Sequence, residues 1–200
     1  MRQATPRPRR VPAARIVPTV GKLHPVLDDA LREWIAAQRV FFVATAPDVG
    51  GHVNCSPRGG DPLLVLGPTT LAWVDRTGSG IETTAHLRQN GRIVVMLCAF
   101  DGPPRIVRLH GRGEVLPVGS PQYQALLPHS RRAAPGARAS VRVELTRISD
   151  SCGFGVPRFD FVGEREQLAQ WAERKGEAGV ADYVREKNAR SIDGLPGLGP

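Results

Sequence analysis

Cysteine is scarce and unpaired in this 200-residue chain. Three cysteines, an odd number with no Cys-x-x-Cys spacing, exclude a disulfide scaffold and a zinc finger, and they make a reducing, cytoplasmic setting the expectation. Long apolar runs are also missing. The longest is the eight residues Ile93–Phe100, far short of the roughly 20 that a membrane-spanning helix needs. The first 22 positions contain no acid, but they hold Arg2, Arg7, Arg9, Arg10, Arg15 and Lys22. Of 27 Lys and Arg these six sit in the arm, leaving 21 against 19 acidic residues, so most of the formal charge of +8 belongs to the arm. The body shows no cationic stripe of the kind that tracks phosphates, which argues against a nucleic-acid partner. No GxSxG elbow and no GK[ST] after a glycine loop are present, which excludes the common serine-hydrolase and P-loop readings.

What is abundant is punctuation. The 22 glycines and 18 prolines point to many turns within one domain long enough for a sizeable core. Residues 1–21, with Pro6, Pro8, Pro12 and Pro18, read as a disordered basic arm or as a start codon assigned too early. Residues 22–163 read as one barrel domain, and 164–200 as C-terminal helices and a loop packing on the barrel or on a partner subunit. Leu27, Leu31, Trp34 and Ile35 recur at helical spacing, which predicts a helix over Val26–Arg39 with Pro25 at its start. β-branched and aromatic runs predict strands at Val40–Ala46, Gly51–Ser56, Pro62–Leu66, Thr70–Asp75, Arg92–Phe100, Arg105–Val118 and Ala139–Ser149. A short helix is expected over Ile81–Asn90, ending on Gly91. Two more are expected over Glu164–Lys175 and Val180–Asn188, then a loop from Ser191. Many short strands with few helices give a mostly β fold with flanking helices, an antiparallel barrel rather than a βαβ sheet.

The segment Thr70–Asn90 carries the most chemistry. A strand enters the turn Thr77-Gly-Ser-Gly-Ile-Glu-Thr83 and a helix follows, so free amides and the hydroxyls of Thr77, Ser79 and Thr83 can meet an anion. The competing reading is a capping box, Ser79 with Glu82 three residues on. Gly78-Ser-Gly-Ile-Glu-Thr83 lacks the third glycine of a dinucleotide fingerprint, and its flanks are strand-rich. No metal site is expected. His52 and Cys55, three apart on a predicted strand, face opposite sides; Cys98 belongs to an apolar run; His86 and His110 have no ligand partner at i+4.

Taken in order, Phe41-Phe-Val-Ala-Thr-Ala46, Gly51-His-Val-Asn-Cys-Ser-Pro-Arg-Gly59, Trp73-Val-Asp-Arg-Thr-Gly-Ser-Gly80, His86-Leu-Arg-Gln-Asn-Gly-Arg92 and Gly102-Pro-Pro-Arg-Ile-Val-Arg-Leu-His-Gly-Arg-Gly113 resemble the pyridoxamine 5′-phosphate oxidase-like proteins, flavin-binding split barrels of Greek-key type. Ser151–Pro157 and Asn188–Gly197 resemble a bacterial subgroup of unassigned substrate. The resemblance runs from about Lys22 to Leu198. It implies a homodimer with FMN at the interface. The stretch Val53, Asn54, Cys55, Ser56, Pro57 and Arg58 would lie along the flavin ring, with Arg58 as the basic residue at its polar edge. Arg76 and Thr77 match a pair that contacts the flavin, and the turn with Ser79 and Thr83 would meet the phosphate. The chain departs from the authentic oxidases at Glu82 and Thr83, where they carry Arg-Lys. A cation from elsewhere, among Arg58, Arg105 and Arg108, would then serve the phosphate. Their C-terminal signature, with a flavin-stacking Trp and a substrate Arg, is not evident.

The sequence therefore reads as an FMN-dependent oxidoreductase acting on a small molecule, with no side chain standing out as an acid or base. Rival readings are a reductase using the deazaflavin F420, and a non-catalytic flavin or haem carrier on the same fold.

Overall fold

In the computed structural model, which describes residues 21–129 and 136–198, the first helix starts behind Asp28. Its carboxylate accepts the Leu31 amide at 2.9 Å and so caps α1 (Asp29–Ala37). The start expected at Val26 is thus corrected. The first turn forms where its free amides find an acceptor, and Pro25 lies outside it. Leu31 and Ile35 share the buried face. Except for Gly21, the basic arm lies outside the described residues.

Eight strands form one antiparallel sheet among the described residues: β1 (Leu23–His24), β2 (Val40–Thr45), β3 (Asn54–Gly59), β4 (Leu64–Val65), β5 (Thr70–Arg76), β6 (Arg92–Cys98), β7 (Ile106–Pro117) and β8 (Ala137–Ser151). The order is β3, β2, β6, β7, β8, β5, β4, with β1 pairing the far end of β8. Pairing β2 with β6 and β5 with β8 joins strands distant in sequence, as Greek-key connections do. The result is the expected mostly β architecture, a half-barrel with flanking helices. Its interior holds Phe41, Val43, Leu71, Trp73, Val95, Val107 and Val141, and Leu27, Leu31 and Ile35 close it from the α1 side. On β8, Ala139, Val141 and Val143 are buried and Arg142 and Glu144 exposed, but Ser140 between them is buried as well, so a strict two-residue alternation holds only from Val141 to Glu144.

Strand β3 is shifted from its expected span of Gly51–Ser56. Its register against β2 runs from Val40↔Gly59 to Thr45↔Asn54, so cross-strand pairing carries the strand through Pro57 and Arg58. Gly50 and Gly51, at φ 64° and 72°, belong to the preceding turn. Helix α2 (Glu82–Asn90) ends on Gly91 at φ 69° as expected, but its N-cap is Ile81 with no side-chain cap. The Ser79–Glu82 capping box is therefore absent. Helix α3 (Pro121–Leu126) was not expected, although Ser120, whose hydroxyl accepts the Tyr123 amide at 3.2 Å, and Pro121 at the first position are its signals. The C-terminal helix α4 (Gln167–Lys187) consists of two segments meeting at non-helical Gly176. The first begins three residues later than expected. Among the described residues no helix is long and apolar enough to cross a membrane.

Candidate ligand-binding site

Alternation along β3 sorts the expected site residues. Asn54, Ser56 and Arg58 are half-buried on one face, whereas Cys55, Pro57 and Gly59 are exposed on the other. Val53 precedes the strand and is 76% exposed. Asn54 heads a polar network beneath the turn. Its Nδ2 donates to Thr83 Oγ1 at 3.0 Å and to Thr45 Oγ1 at 3.3 Å, and its Oδ1 accepts the Ser56 hydroxyl at 2.9 Å. Thr45 Oγ1 in turn lies 3.0 Å from Nδ1 of fully buried His86. Burial lowers the His86 pKa, against the opposing fields of Asp193 and Glu82, so this imidazole is neutral near pH 7.

On β5, which is buried on both faces from Leu71 to Asp75, and just beyond its end, Trp73, Asp75 and Thr77 are all nearly fully buried. Asp75 is flanked by two guanidiniums. Arg138 Nε donates to its Oδ2 at 2.7 Å, and Arg58 Nη1 stands 3.0 Å from its Oδ1. The second contact is an ion pair that is not aligned as a hydrogen bond, since Oδ1 makes none. Arg138 continues into the turn, where its Nη1 donates to the Gly80 carbonyl at 2.7 Å and to Asn188 Oδ1 at 2.9 Å, while Asn188 Nδ2 holds the Gly78 carbonyl at 3.0 Å. The turn thus aims carbonyls inward, and Ser79 is exposed above it.

Helix α2 is covered by the segment from Ile192 to Gly197. Glu82 accepts the Ile192 amide at 3.2 Å, Arg88 donates to the Gly197 carbonyl, and Asp193 takes both the backbone amide (2.8 Å) and the ring Nδ1 (2.7 Å) of His52. Glu82, at a position where a cation was the family expectation, is used to fasten this strap.

Between β3 and the C-terminal segment lies a cleft of about 940 Å³, lined by Arg39, Pro57, Arg58, Gly60, Arg76, Phe100, Phe159, Phe161, Arg165 and Leu168 among others. This is within the range of small-molecule sites. Its outer wall is docked by the Phe159 ring 5.5 Å from Phe100, the Phe159 amide on the Phe100 carbonyl at 2.9 Å, and Arg39 stacked 5.1 Å over Phe161. A recess of about 170 Å³ is lined by Phe41, Pro57, Arg58, Gly59, Asp61, Trp73, Arg76, Thr77 and Leu168, several of them shared with the cleft. Three buried donors on its walls have no hydrogen-bond partner among the described residues: Arg58 Nε, Trp73 Nε1 and Thr77 Oγ1. Arg76 Nε donates to Asp61 at 2.6 Å at the same place. Unmet buried donors are rare in folded proteins and mark a place for an acceptor-rich ligand or ordered water.

The structure brings together Pro57, Arg58, Arg76 and Thr77, with Asn54, Ser56 and Thr83 in the neighbouring network. It does not bring Arg105, which pairs with Asp150 at 2.7 Å and stacks 5.2 Å over Trp34, and which lines neither hollow. Sequence reasoning missed Trp73, Asp75, Arg138 and Asn188 as members of the site. Asp75 two residues from Trp73 was the available signal, while nothing local marks Arg138 as buried. Among the described residues no group of three or more His, Cys, Asp or Glu is placed to hold a metal.

Residues 27–152 match the family model described as Pyridoxamine 5′-phosphate oxidase. The chain is 40% identical over 190 residues to the pyridoxamine 5′-phosphate oxidase family protein ustO of Aspergillus flavus, an alignment covering 86% of this chain and 76% of that one. Among solved structures, HupZ of Group A Streptococcus superposes with a TM-score of 0.51 at 19% identity, covering 66% of this chain and 98% of that one. A putative pyridoxamine 5′-phosphate oxidase of Lactobacillus delbrueckii gives 0.50 at 16% identity, covering 65% and 98%. At these identities the two structures speak for the fold alone.

Proposed function

This chain belongs to the pyridoxamine 5′-phosphate oxidase family, and from that premise we propose that it is a flavin-binding oxidoreductase that uses FMN and works as a homodimer. The observation that carries the reading is the recess beside β3, where Arg58, Trp73 and Thr77 present three buried donors with no partner. A flavin has an acceptor-rich polar edge on an otherwise apolar ring, and this wall pairs such donors with Phe41, Pro57 and Leu168. The residues present therefore fit the group. Arg58, Trp73, Arg76 and Thr77 would hold it, and the bound flavin would supply hydride and electron transfer to a small substrate.

The chain's own residues do the rest. Asp75, fixed by Arg138, holds the Arg58 guanidinium at the recess. Arg58 and Arg76 contribute positive charge that favours an anionic ligand in a partly desolvated wall. Phe100, Phe159 and Phe161 cover the cleft and limit water. The phosphate is expected to draw on these arginines rather than on the start of α2, which the C-terminal strap covers. In a homodimer the open edge of the half-barrel and the exposed Phe159, Phe161 and Val162 would be covered by the second copy.

The test is the absorption spectrum of freshly purified protein, with mass spectrometry of the released ligand. A flavin spectrum and the mass of FMN support the reading. A deazaflavin or haem spectrum overturns the cofactor assignment, as does colourless protein that takes up no added FMN. Reduction of the bound flavin by NAD(P)H and its reoxidation by oxygen or an added acceptor support an oxidoreductase, and a flavin inert to every donor indicates a carrier.

A further inference from the structure

Asn188 is a polar side chain wholly removed from water, placed where α4 ends. Its backbone is fixed on both sides. The Asn188 amide donates to the Val184 carbonyl at 2.9 Å, and its own carbonyl accepts the Leu198 amide at 2.8 Å. Gly197 permits this close return of the chain, because a Cβ there would collide with the Asn188 carbonyl and with Ile81. From this anchored position the side chain reaches the turn before α2, 110 positions earlier in the chain. Both ends of its amide are engaged there: Oδ1 accepts from Arg138 Nη1 at 2.9 Å, and Nδ2 donates to the Gly78 carbonyl at 3.0 Å.

Those two bonds decide how Arg138 lies. Its Nη1 carries two hydrogens, and the near acceptors are the Gly80 carbonyl at 2.7 Å and Asn188 Oδ1. The Gly78 carbonyl stands 3.4 Å from the same nitrogen, and Asn188 Nδ2 draws it away. With its plane set in this way, Arg138 keeps Nε on Asp75 Oδ2 at 2.7 Å. Asp75 can then turn only Oδ1 to Arg58. Arg58 Nη1 is 3.0 Å away, yet Oδ1 accepts no hydrogen bond and Arg58 Nε is buried without a partner. A carboxylate free to face a guanidinium commonly closes a two-bond fork with it. Here one oxygen is already held, and the Arg58 donors stay open to the recess.

We propose that Asn188 is a positioning residue for the ligand recess: it holds Arg138 on Asp75, and so keeps Asp75 from closing on Arg58 and occupying the donors that the ligand needs. FMN as that ligand follows from the flavin reading, on which this assignment rests, whereas the orientation of Arg58 does not depend on it. Asn188 lines neither the cleft nor the recess and acts through Arg138 and Asp75. Without its amide, Nη1 loses one acceptor and the Gly78 carbonyl is released to compete for the freed hydrogen. Arg138 then swings toward the turn and Nε is drawn off Oδ2. Asp75, freed on that side, pairs both oxygens with Arg58. The end of α4 thus sets whether the recess is receptive, although it contributes no part of its wall.

The test uses the full chain, first without ligand and then with FMN. In the ligand-free protein the Arg58 Nε–H resonance, assigned by its loss in Arg58→Lys, is compared with that in Asn188→Ala. It is expected to move downfield in the variant and to exchange more slowly with water, because Nε gains a carboxylate acceptor. A resonance that stays in place overturns the proposal, whether or not the protein binds FMN. A wild-type chain that takes up no FMN overturns the flavin reading alone. Where FMN binds, Asn188→Ala is expected to weaken it about fivefold. That factor should disappear in an Asp75→Asn background, where the carboxylate that closes on Arg58 is gone. FMN affinity unchanged by Asn188→Ala overturns the proposal, and so does a loss that persists in full with Asp75→Asn, since a merely structural residue acts regardless of the charge at 75. Asp193→Asn, which loosens the same C-terminal segment at His52, is expected to leave the resonance and FMN affinity unchanged; effects equal to those of Asn188→Ala would indicate general loosening and overturn the assignment. Should Asn188→Ala fold poorly, the milder Asn188→Ser is read by the same criteria.

Discussion

Arg138 and Asp75 form an ion pair that is almost completely removed from water, with Nε 2.7 Å from Oδ2 and side-chain exposures of 2% and 1%. The pair joins β5 to β8 and, through the further bonds of Arg138 to Gly80 and Asn188, fastens the turn before α2 to the C-terminal segment. Removing one partner of a buried pair leaves an uncompensated charge, which costs about 3–5 kcal/mol. Arg138→Met is expected at the lower end of that range, because Arg58 still faces Asp75. Asp75→Asn added to it should recover part of the loss. Urea denaturation of the two single variants and the double variant measures this; additive losses would contradict the coupling.

Arg58 is expected to matter for ligand affinity through the same carboxylate. It is held at the recess by Asp75 and has an unpaired buried Nε. Arg58→Ala should weaken FMN binding by about 1.5–3 kcal/mol, tenfold or more. Arg58→Lys should recover only part, since a point charge replaces a planar fork. Fluorescence titration, with circular dichroism confirming the fold, checks it. FMN affinity that is unchanged in Arg58→Ala would sink the assignment.

His86 predicts a pH dependence with a definite sign. Its pKa is lowered in the fold, first by burial, so the folded state binds fewer protons than the unfolded one. The stability tied to neutral His86 is present above the ordinary histidine pKa of about 6.5 and is lost as pH falls from there through the folded value. The urea midpoint should therefore drop between pH 7.5 and 5.5. His86→Gln should lower stability at pH 7.5 by losing the Thr45 contact, yet flatten this acid limb. An equally steep limb in the variant would count against the reading.

The strap over α2 has its own acid sensitivity. Hydrogen bonds from the His52 amide and ring hold the Asp193 carboxyl below its usual range. Docking of the loop should thus persist above the ordinary carboxylate pKa and loosen as pH falls through the lowered value. Asp193→Asn should accelerate hydrogen exchange at the His52 amide near neutrality without altering exchange in the β7–β8 core. Unchanged His52 protection would show that other contacts hold the strap.

The mostly β class, the helix ending on Gly91 and the two-part C-terminal helix were legible in the sequence. Each rests on a local rule: side-chain period, turn residues, or the left-handed conformation that glycine accepts. The grouping of Pro57, Arg58, Arg76 and Thr77 was legible only through family resemblance, which supplied positions but no partners. The span of β3 was misread because its end is set by pairing with β2. The Ser79 cap was misread because Arg138 and Asn188 draw the carbonyls of the turn inward.

Local sequence dictates where the chain turns and which faces are apolar, since these depend on neighbours a few residues apart. Tertiary structure alone decided that Asp75 sits between Arg58 and Arg138, residues 17 and 63 positions away, and that Arg105 serves Asp150 instead. It also decided that the segment from Ile192 to Gly197 closes over α2. Buried charges are selected by what neutralises them once water is excluded, and those partners come from strands that meet only in the folded barrel.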